Sequence, residues 1–327
     1  MKTPSRPLIS VVVPLYNESD VILTFHEQLV QVIDVATKHS YEIIYCDDGS
    51  SDTTAAIVQK LCASDPRVKL IKLSRNFGKE SALSAAIHQA NGDGILMLDG
   101  DGQHPVDMIP QFIKTWQAGA DVVIGLRADK DQESFTKKFG SWLFYKLFNR
   151  LTGQTMTPGA TDYRLIDRSV QQAFLSLTET DRITRGLIDW LGFKREFIPI
   201  KRLSRTAGKP SYSLSNLIKL ATNSFVSLSS TPLYLFGYIG VFIASASFLV
   251  GVTVFIEQVI LRDPLHWHFT GPAMLGILIL FLVGIILISQ GIISLYISHM
   301  HSQTKGRPLY VIDYKGSAGI VKETDAK

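Results

Sequence analysis

Cysteine is nearly missing from this chain: two residues, Cys46 and Cys62, stand in 327. A disulfide scaffold is excluded. Cys46 lies in an apolar run and Cys62 in a helical pattern, which predicts two buried thiols in a reducing compartment. Charge of one sign is also scarce. Lys and Arg number 33 against 29 Asp and Glu, a formal excess of +4. That is too little to grip nucleic acid by bulk charge, so no nucleic-acid partner is expected. With 46% apolar residues, intrinsic disorder is excluded as well. No G-x-G-x-x-G follows the first apolar run, so a dinucleotide fingerprint is missing. Gly78-Lys79 lacks the upstream glycine and the following Ser or Thr of a P-loop. The Asp99–Gln103 stretch has the opening of a calcium loop, but His104 holds its sixth position and Pro110 its twelfth. Residues 1–10 lead into a short apolar run soon broken by Pro14 and Asn17, so no signal peptide is expected.

What the chain has is an uneven distribution of apolar residues. Residues 233–256 carry no charge, and neither do residues 271–297. The first run alone makes about 36 Å of helix, enough to cross a bilayer core of about 30 Å. Basic residues flank the pair on the outside. Lys201, Arg202, Arg205, Lys209 and Lys219 precede it, Lys305, Arg307, Lys315, Lys322 and Lys327 follow it, and the linker holds only Arg262. This bias places both termini in the cytoplasm, in a multi-pass protein of the inner (plasma) membrane. The expected layout is a cytoplasmic catalytic domain over 1–210 and an interfacial helix over 211–231. Transmembrane helices over 232–261 and 271–298 follow, joined by a short extracytoplasmic linker, and then a cytoplasmic tail over 299–327. Residues 133–151 mix aromatic and cationic side chains on an amphipathic pattern, which suits a second interfacial helix. Gly240 and Ala244 form a small-xxx-small pair that would serve self-association, so a homo-oligomer is an option.

Up to Arg127 the chain alternates short apolar runs with helical patterns. The runs are 8–13, 41–46, 68–73, 94–98 and 120–125; the helical stretches are 18–38, 52–64, 79–91 and 106–118, with Asp52 positioned to cap the second. The fold class is therefore α/β, a mostly parallel sheet with helices on both faces. In such sheets ligands bind outside the carboxyl ends of the strands. Here those ends deliver Pro14–Glu18, Asp47–Ser50, Ser74–Lys79, Asp99–Pro105 and Arg127. Asp99, Asp101 and Gln103 put three oxygen ligands on alternate residues just past a strand. Mg²⁺ or Mn²⁺ takes few protein oxygens and accepts phosphate oxygens as well.

The set VVVPLYNE, DDGSSD, RNFGK, LDGDGQHP and GLR resembles family 2 glycosyltransferases of the GT-A fold. With two apolar runs at the C-terminus, the chain is similar to the polyisoprenyl-phosphate sugar transferases. These include the bactoprenol (undecaprenyl-phosphate) glucosyltransferases and the dolichyl-phosphate mannose synthases; RNFGKE and TDYRL fit the bactoprenol branch best. The resemblance implies that Pro14, Tyr16 and Glu18 line the base and ribose pocket, with Asp47 or Asp48 on the uracil. It implies Arg75, Lys79 and Asp99 beside the nucleotide and its phosphates, and Arg205, Lys209 and Ser211 in a loop that closes over the donor. It further implies Asp99, Asp101 and Gln103 as metal ligands, Arg127 with Lys137 or Lys138 on the acceptor phosphate, and Asp162 and Asp101 as catalytic groups. The partners so implied are a nucleotide sugar, a polyisoprenyl phosphate and the membrane. The expected cofactor is a divalent cation, and the expected donor is UDP-glucose, with GDP-mannose as the alternative.

The chemistry can be argued without the resemblance. A sugar nucleotide leaves readily once its diphosphate is neutralised, and a phosphate monoester, with a second pKa of about 6, is already an anionic nucleophile. It needs positioning more than deprotonation, which weakens the case for Asp162 as a base. Direct in-line attack inverts the anomeric centre. Two other readings compete. A processive polysaccharide synthase would want a Q-x-x-R-W motif, which Arg185–Trp190 does not match, and more apolar runs than two. A non-catalytic nucleotide-binding protein would have no use for the full set Asp99, Asp101, Gln103, Arg127 and Asp162.

Overall fold

The computed structural model describes residues 7–36, 40–127, 157, 159–179, 182–201, 242, 249 and 271–320. Seven strands form one sheet in the order β3-β2-β1-β4-β6-β5-β7. They are β1 (Leu8–Leu15), β2 (Ser40–Asp47), β3 (Val68–Lys72), β4 (Gly94–Met97), β5 (Val122–Arg127), β6 (Ala160–Asp167) and β7 (Arg195–Ile200). The first five expected strands are all present. β1 pairs in parallel with both β2 and β4, and β2 with β3. The strand β6, which the apolar-run reading did not pick out, enters antiparallel between β4 and β5. Its sequence, ATDYRLID, mixes polar and apolar residues and lacks the continuous apolar run of a strand buried on both faces.

The helices are α1 (Ile22–Ala36), α2 (Thr54–Ser64), α3 (Lys79–Gln89), α4 (Ile109–Gln117), α5 (Arg168–Leu175), α6 (Thr184–Trp190) and α7 (Gly271–Thr304). In α1 the residues Ile22, Phe25, Leu29 and Ile33 recur at helical spacing and are all buried. The middle of α3, Ser81 to Ile87, is buried throughout, and its alanines and serines let it lie close on β1 and β2. Separate apolar clusters cover the two faces of the sheet. Pro110 sits at the start of α4, where its missing N–H costs no hydrogen bond. The Asp52 carboxylate accepts from the Thr54 amide at 2.9 Å, satisfying an orphan donor at the head of α2. Cys46 is fully buried as expected. Cys62 is only half-buried, because α2 turns it to the edge of its cluster; both thiols are free.

The chain divides into two compact units. The catalytic unit comprises Met1–Asn149, Gln154–Ser211 and Arg307–Lys327, and the second unit holds Arg150–Gly153 and Tyr212–Gly306. Residues 311–318 therefore rejoin the catalytic sheet along the open edge of β3. Leu70 and Ala318 exchange both backbone hydrogen bonds at 2.9 Å, the Asp313 amide donates to the Lys72 carbonyl (2.7 Å), and the Ser74 amide donates to the Val311 carbonyl (2.9 Å). This covers an edge strand that would otherwise offer unpaired backbone groups. In the second unit, α7 runs unbroken for 34 residues over the second apolar run, and Phe242 and Leu249 of the first run are helical. Counted over the described residues alone, no helix is long and apolar enough to cross a membrane. The stretch 133–151, the stretch 211–231 and the linker 262–270 lie outside the described residues.

Candidate active site

The site is assembled from loops that follow β1, β2, β3 and β4 and from the start of β6, which runs antiparallel and so presents its first residues at the same edge. The first two loops are tied together. Asn17 adopts a left-handed conformation (φ 54°), which asparagine tolerates. Its side-chain oxygen accepts from the Ser51 amide at 2.9 Å, and its own amide donates to Ser50 Oγ at 2.9 Å. The Glu18 amide donates to Thr54 Oγ1 at 2.9 Å. Pro14, one residue before the end of β1, pairs with Cys46, and Tyr16 follows at the same edge, half exposed. The expected pocket residues thus come together, with an exposed aromatic ring at their rim.

Asp47 and Asp48 are both buried, and burial raises both carboxyl groups above the usual carboxylate range. Asp47 accepts from the Ser50 amide at 3.2 Å. Asp48 accepts from the Phe77 and Gly78 amides at 2.7 and 2.8 Å. Its carboxylate is thus committed to shaping the loop after β3. Gly49 makes this possible: at φ 69° it packs so close that a Cβ would lie 2.5 Å from the Arg75 carbonyl carbon. Arg75 stacks its guanidinium over the Phe77 ring at 4.0 Å and donates to the Asn76 carbonyl at 3.0 Å.

Lys79, the first residue of α3, links two of the expected acidic groups. Its Nζ lies 2.7 Å from Asp99 Oδ1 and 2.9 Å from Asp162 Oδ2. The Lys79 side chain is 43% exposed, so solvent screens part of this interaction. Desolvation alone would lower the Lys79 pKa, but the Asp99 and Asp162 carboxylates outweigh it and raise it. Burial pushes Asp162 up, and the Lys79 ammonium more than reverses this, bringing its carboxyl down to about 2. Arg164, which follows Asp162 on the same face of β6, turns elsewhere. It is fully buried and bonds Asp189 of α6 at 2.8 Å.

Asp101 accepts from the Gln103 amide at 3.0 Å, closing a tight turn past β4. Gln103 is buried and its Oε1 has no hydrogen-bond partner. Asp99, Asp101 and this orphaned oxygen fit a hard divalent cation, which takes one or two carboxylates and completes its shell with water and phosphate oxygens. Among the described residues no group of three or more His, Cys, Asp or Glu could hold a metal by itself. Arg127 ends β5, exposed at the same edge. Lys137, Lys138, Arg205, Lys209 and Ser211 lie outside the described residues.

Three contributors escape sequence reasoning. His104 Nδ1 accepts from the Asp99 amide at 3.1 Å while its ring stacks on Tyr163, so it holds the acidic turn in place. Glu80 accepts from the Thr184 amide and hydroxyl at 2.8 and 2.6 Å, anchoring α6 under the site. Asp189 holds Arg164. The Glu80 and Asp189 contacts join residues far apart in the chain, and no local spacing announces them.

The model of glycosyl transferase family 2 matches residues 10–174, half of the chain. The chain belongs to that family. This is therefore a glycosyltransferase, and the matched segment carries every described candidate-site residue from Pro14 to Asp162. Relatives match over nearly the whole transferase. A bactoprenol glucosyl transferase of Shigella phage SfX is 36% identical over 304 residues, covering 93% of this chain and 98% of the relative. A prophage bactoprenol glucosyl transferase homolog of Escherichia coli K12 is 34% identical over the same share of each. Among solved structures, a glucosyl-3-phosphoglycerate synthase from Mycobacterium tuberculosis superposes with a TM-score of 0.49 at 18% identity, covering 68% of this chain and 77% of that one.

Proposed function

We propose that this glycosyltransferase moves a hexose, glucose from UDP-glucose, onto a polyisoprenyl phosphate such as undecaprenyl phosphate at the cytoplasmic face of the membrane. The observation that carries the reading is the Asp99–Lys79–Asp162 chain of contacts, which joins the donor-phosphate turn to the acidic residue of β6. The named relatives, matched across the apolar runs as well as the catalytic unit, support the lipid acceptor.

In this reading Tyr16 and the tied loops after β1 and β2 receive the nucleotide. Asp99 and Asp101, with Gln103, would hold a divalent cation, which when bound supplies Lewis-acid neutralisation of the leaving diphosphate. Arg127, with Lys137 or Lys138, orients the acceptor phosphate, and Arg205, Lys209 and Ser211 close over the donor. An oxygen of the lipid phosphate attacks the anomeric carbon, the bond from that carbon to UDP breaks, and the configuration inverts. The nucleophile arrives as an anion. Asp162, with a carboxyl pKa of about 2, is a weak base at neutral pH. Its role is to hold Lys79 and orient the reacting groups.

The membrane placement has its own support. The chain leaves the catalytic unit after Ser211 and rejoins it at Arg307. Any crossings in between must be even in number, as two spans require. Apolar side chains of α7 from Leu275 to Met300 stand exposed, including Leu278, Val283, Ile286, Ile293 and Ile297, as a lipid-facing helix would present them. Cysteines introduced into the 262–270 linker and into the 311–318 segment test this. Membrane-impermeant reagent should label the linker alone from outside; labelling of the tail would reverse the placement.

A further inference from the structure

A cavity of about 400 Å³ opens in the catalytic unit between the later turns of α3, the end of α5 and the Pro308–Tyr314 segment. Ser84 and His88 line it, along with Arg182, Tyr310 and Tyr314. These two α3 residues lie five and nine positions beyond Lys79, so the cavity begins about 7 Å along the helix from the active site and extends away from it. Among the described residues, two basic side chains and three hydroxyls contribute to the lining, and no carboxylate does.

Arg182 is held by two backbone carbonyls and an aromatic ring, and the Glu179 carboxylate offsets part of its charge. Its Nε donates to the Glu179 carbonyl at 3.0 Å, its Nη2 to the Leu177 carbonyl at 2.6 Å, and its guanidinium lies over the Phe174 ring at 5.1 Å. Burial lowers its pKa, the mark of a partly desolvated cation. The His88 ring nitrogen Nδ1 lies 2.9 Å from the Tyr310 hydroxyl. Ser84 is 2% exposed, and its Oγ has no hydrogen-bond partner. A buried hydroxyl in a helix usually bonds the carbonyl one turn back; this one lines a cavity instead. A fixed guanidinium, an imidazole and an unsatisfied hydroxyl around one space form an anion site, and a guanidinium suits phosphate best.

We propose that this cavity binds a phosphate monoester or diester, with Arg182 supplying the charge, His88 a ring nitrogen and Ser84 a hydroxyl. The volume admits a phosphate with a glycerol-sized group, and Leu175 and Ile312 offer it apolar wall. A soluble phosphate ester and a lipid headgroup share this chemistry, so the test probes both. For the soluble arm, the full chain in phosphate-free detergent is titrated with glycerol phosphate and followed by phosphorus NMR line broadening. For the lipid arm, the chain is placed in nanodiscs of phosphatidylcholine and phosphatidylglycerol, and retained anionic lipid is counted by native mass spectrometry. At least one probe should bind. An Arg182→Gln/His88→Gln variant should weaken it by about tenfold or more. Ser84→Leu, which fills the space and keeps Arg182 and His88, should block it similarly. UDP affinity, read in parallel, should stay within about twofold in both variants, because none of these residues belongs to the donor site. Glycerol phosphate binding alone assigns a soluble ester, and retained phosphatidylglycerol alone assigns a headgroup. If neither probe binds, or if binding survives both variants, the proposal is overturned.

Discussion

Asp48 shows how a single side chain can shape a site through the backbone. It is buried, and its two accepted hydrogen bonds fix the Phe77–Gly78 backbone from which α3 and Lys79 start. Asp48→Ala leaves two amides without partners, which should cost about 2–6 kcal/mol in all. Thermal unfolding should show that loss together with weaker UDP binding; an unchanged midpoint would mean the loop holds itself. Asp162 acts differently. Asp162→Asn should lower turnover by about 10² or more while UDP binding changes little, and near wild-type turnover would remove it from the mechanism. The depressed pKa also fixes a pH window. A carboxyl lowered in the folded state stabilises it fully above the unfolded value of about 3.9, and that gain fades as pH falls through about 2. Asp162 should therefore contribute no acid limb to turnover between pH 5 and 8. Glu18, Asp47, Asp48, Asp99 and Asp101 follow the strands the sequence placed them after, and Asp162 joins that edge from β6. What the sequence left undecided was which of them would touch ligand and which would hold the scaffold, since that depends on where each carboxylate points.

At the level of elements, the segment 311–318 is the least expected feature. It reads as an unremarkable tail, with Gly316 and Gly319 breaking any strand pattern, yet it closes the β3 edge and bonds Ser74, next to Arg75 of the site loop. A chain ending at Gly306 should lose several degrees of thermal stability and bind UDP several-fold more weakly. Equal melting and affinity would show the strap to be decoration. The strands β1 to β5 were legible because burial on both faces demands continuous apolar runs, and β7, half of it exposed, was not. The strand β6 was not legible either, since it carries Asp162 and the buried Arg164 among its apolar residues, and Arg164 pairs with Asp189, 25 residues away in the chain. Its motif TDYRL was readable as chemistry before it was readable as structure.

Taken whole, the molecule puts a water-facing sheet edge and two uncharged runs in one chain, and the family it belongs to explains the first. In the proposed reading the pair of runs serves the acceptor: an isoprenoid cannot leave the bilayer, so the site would have to come to it. The account turns on the product. Purified protein incubated with undecaprenyl phosphate and radiolabelled UDP-glucose should give a butanol-extractable labelled lipid, with the glucose inverted at its anomeric carbon. EDTA should abolish the product, and added Mg²⁺ or Mn²⁺ should restore it. A growing polymer, a retained anomeric configuration, or no lipid-linked sugar from any nucleotide donor would contradict it.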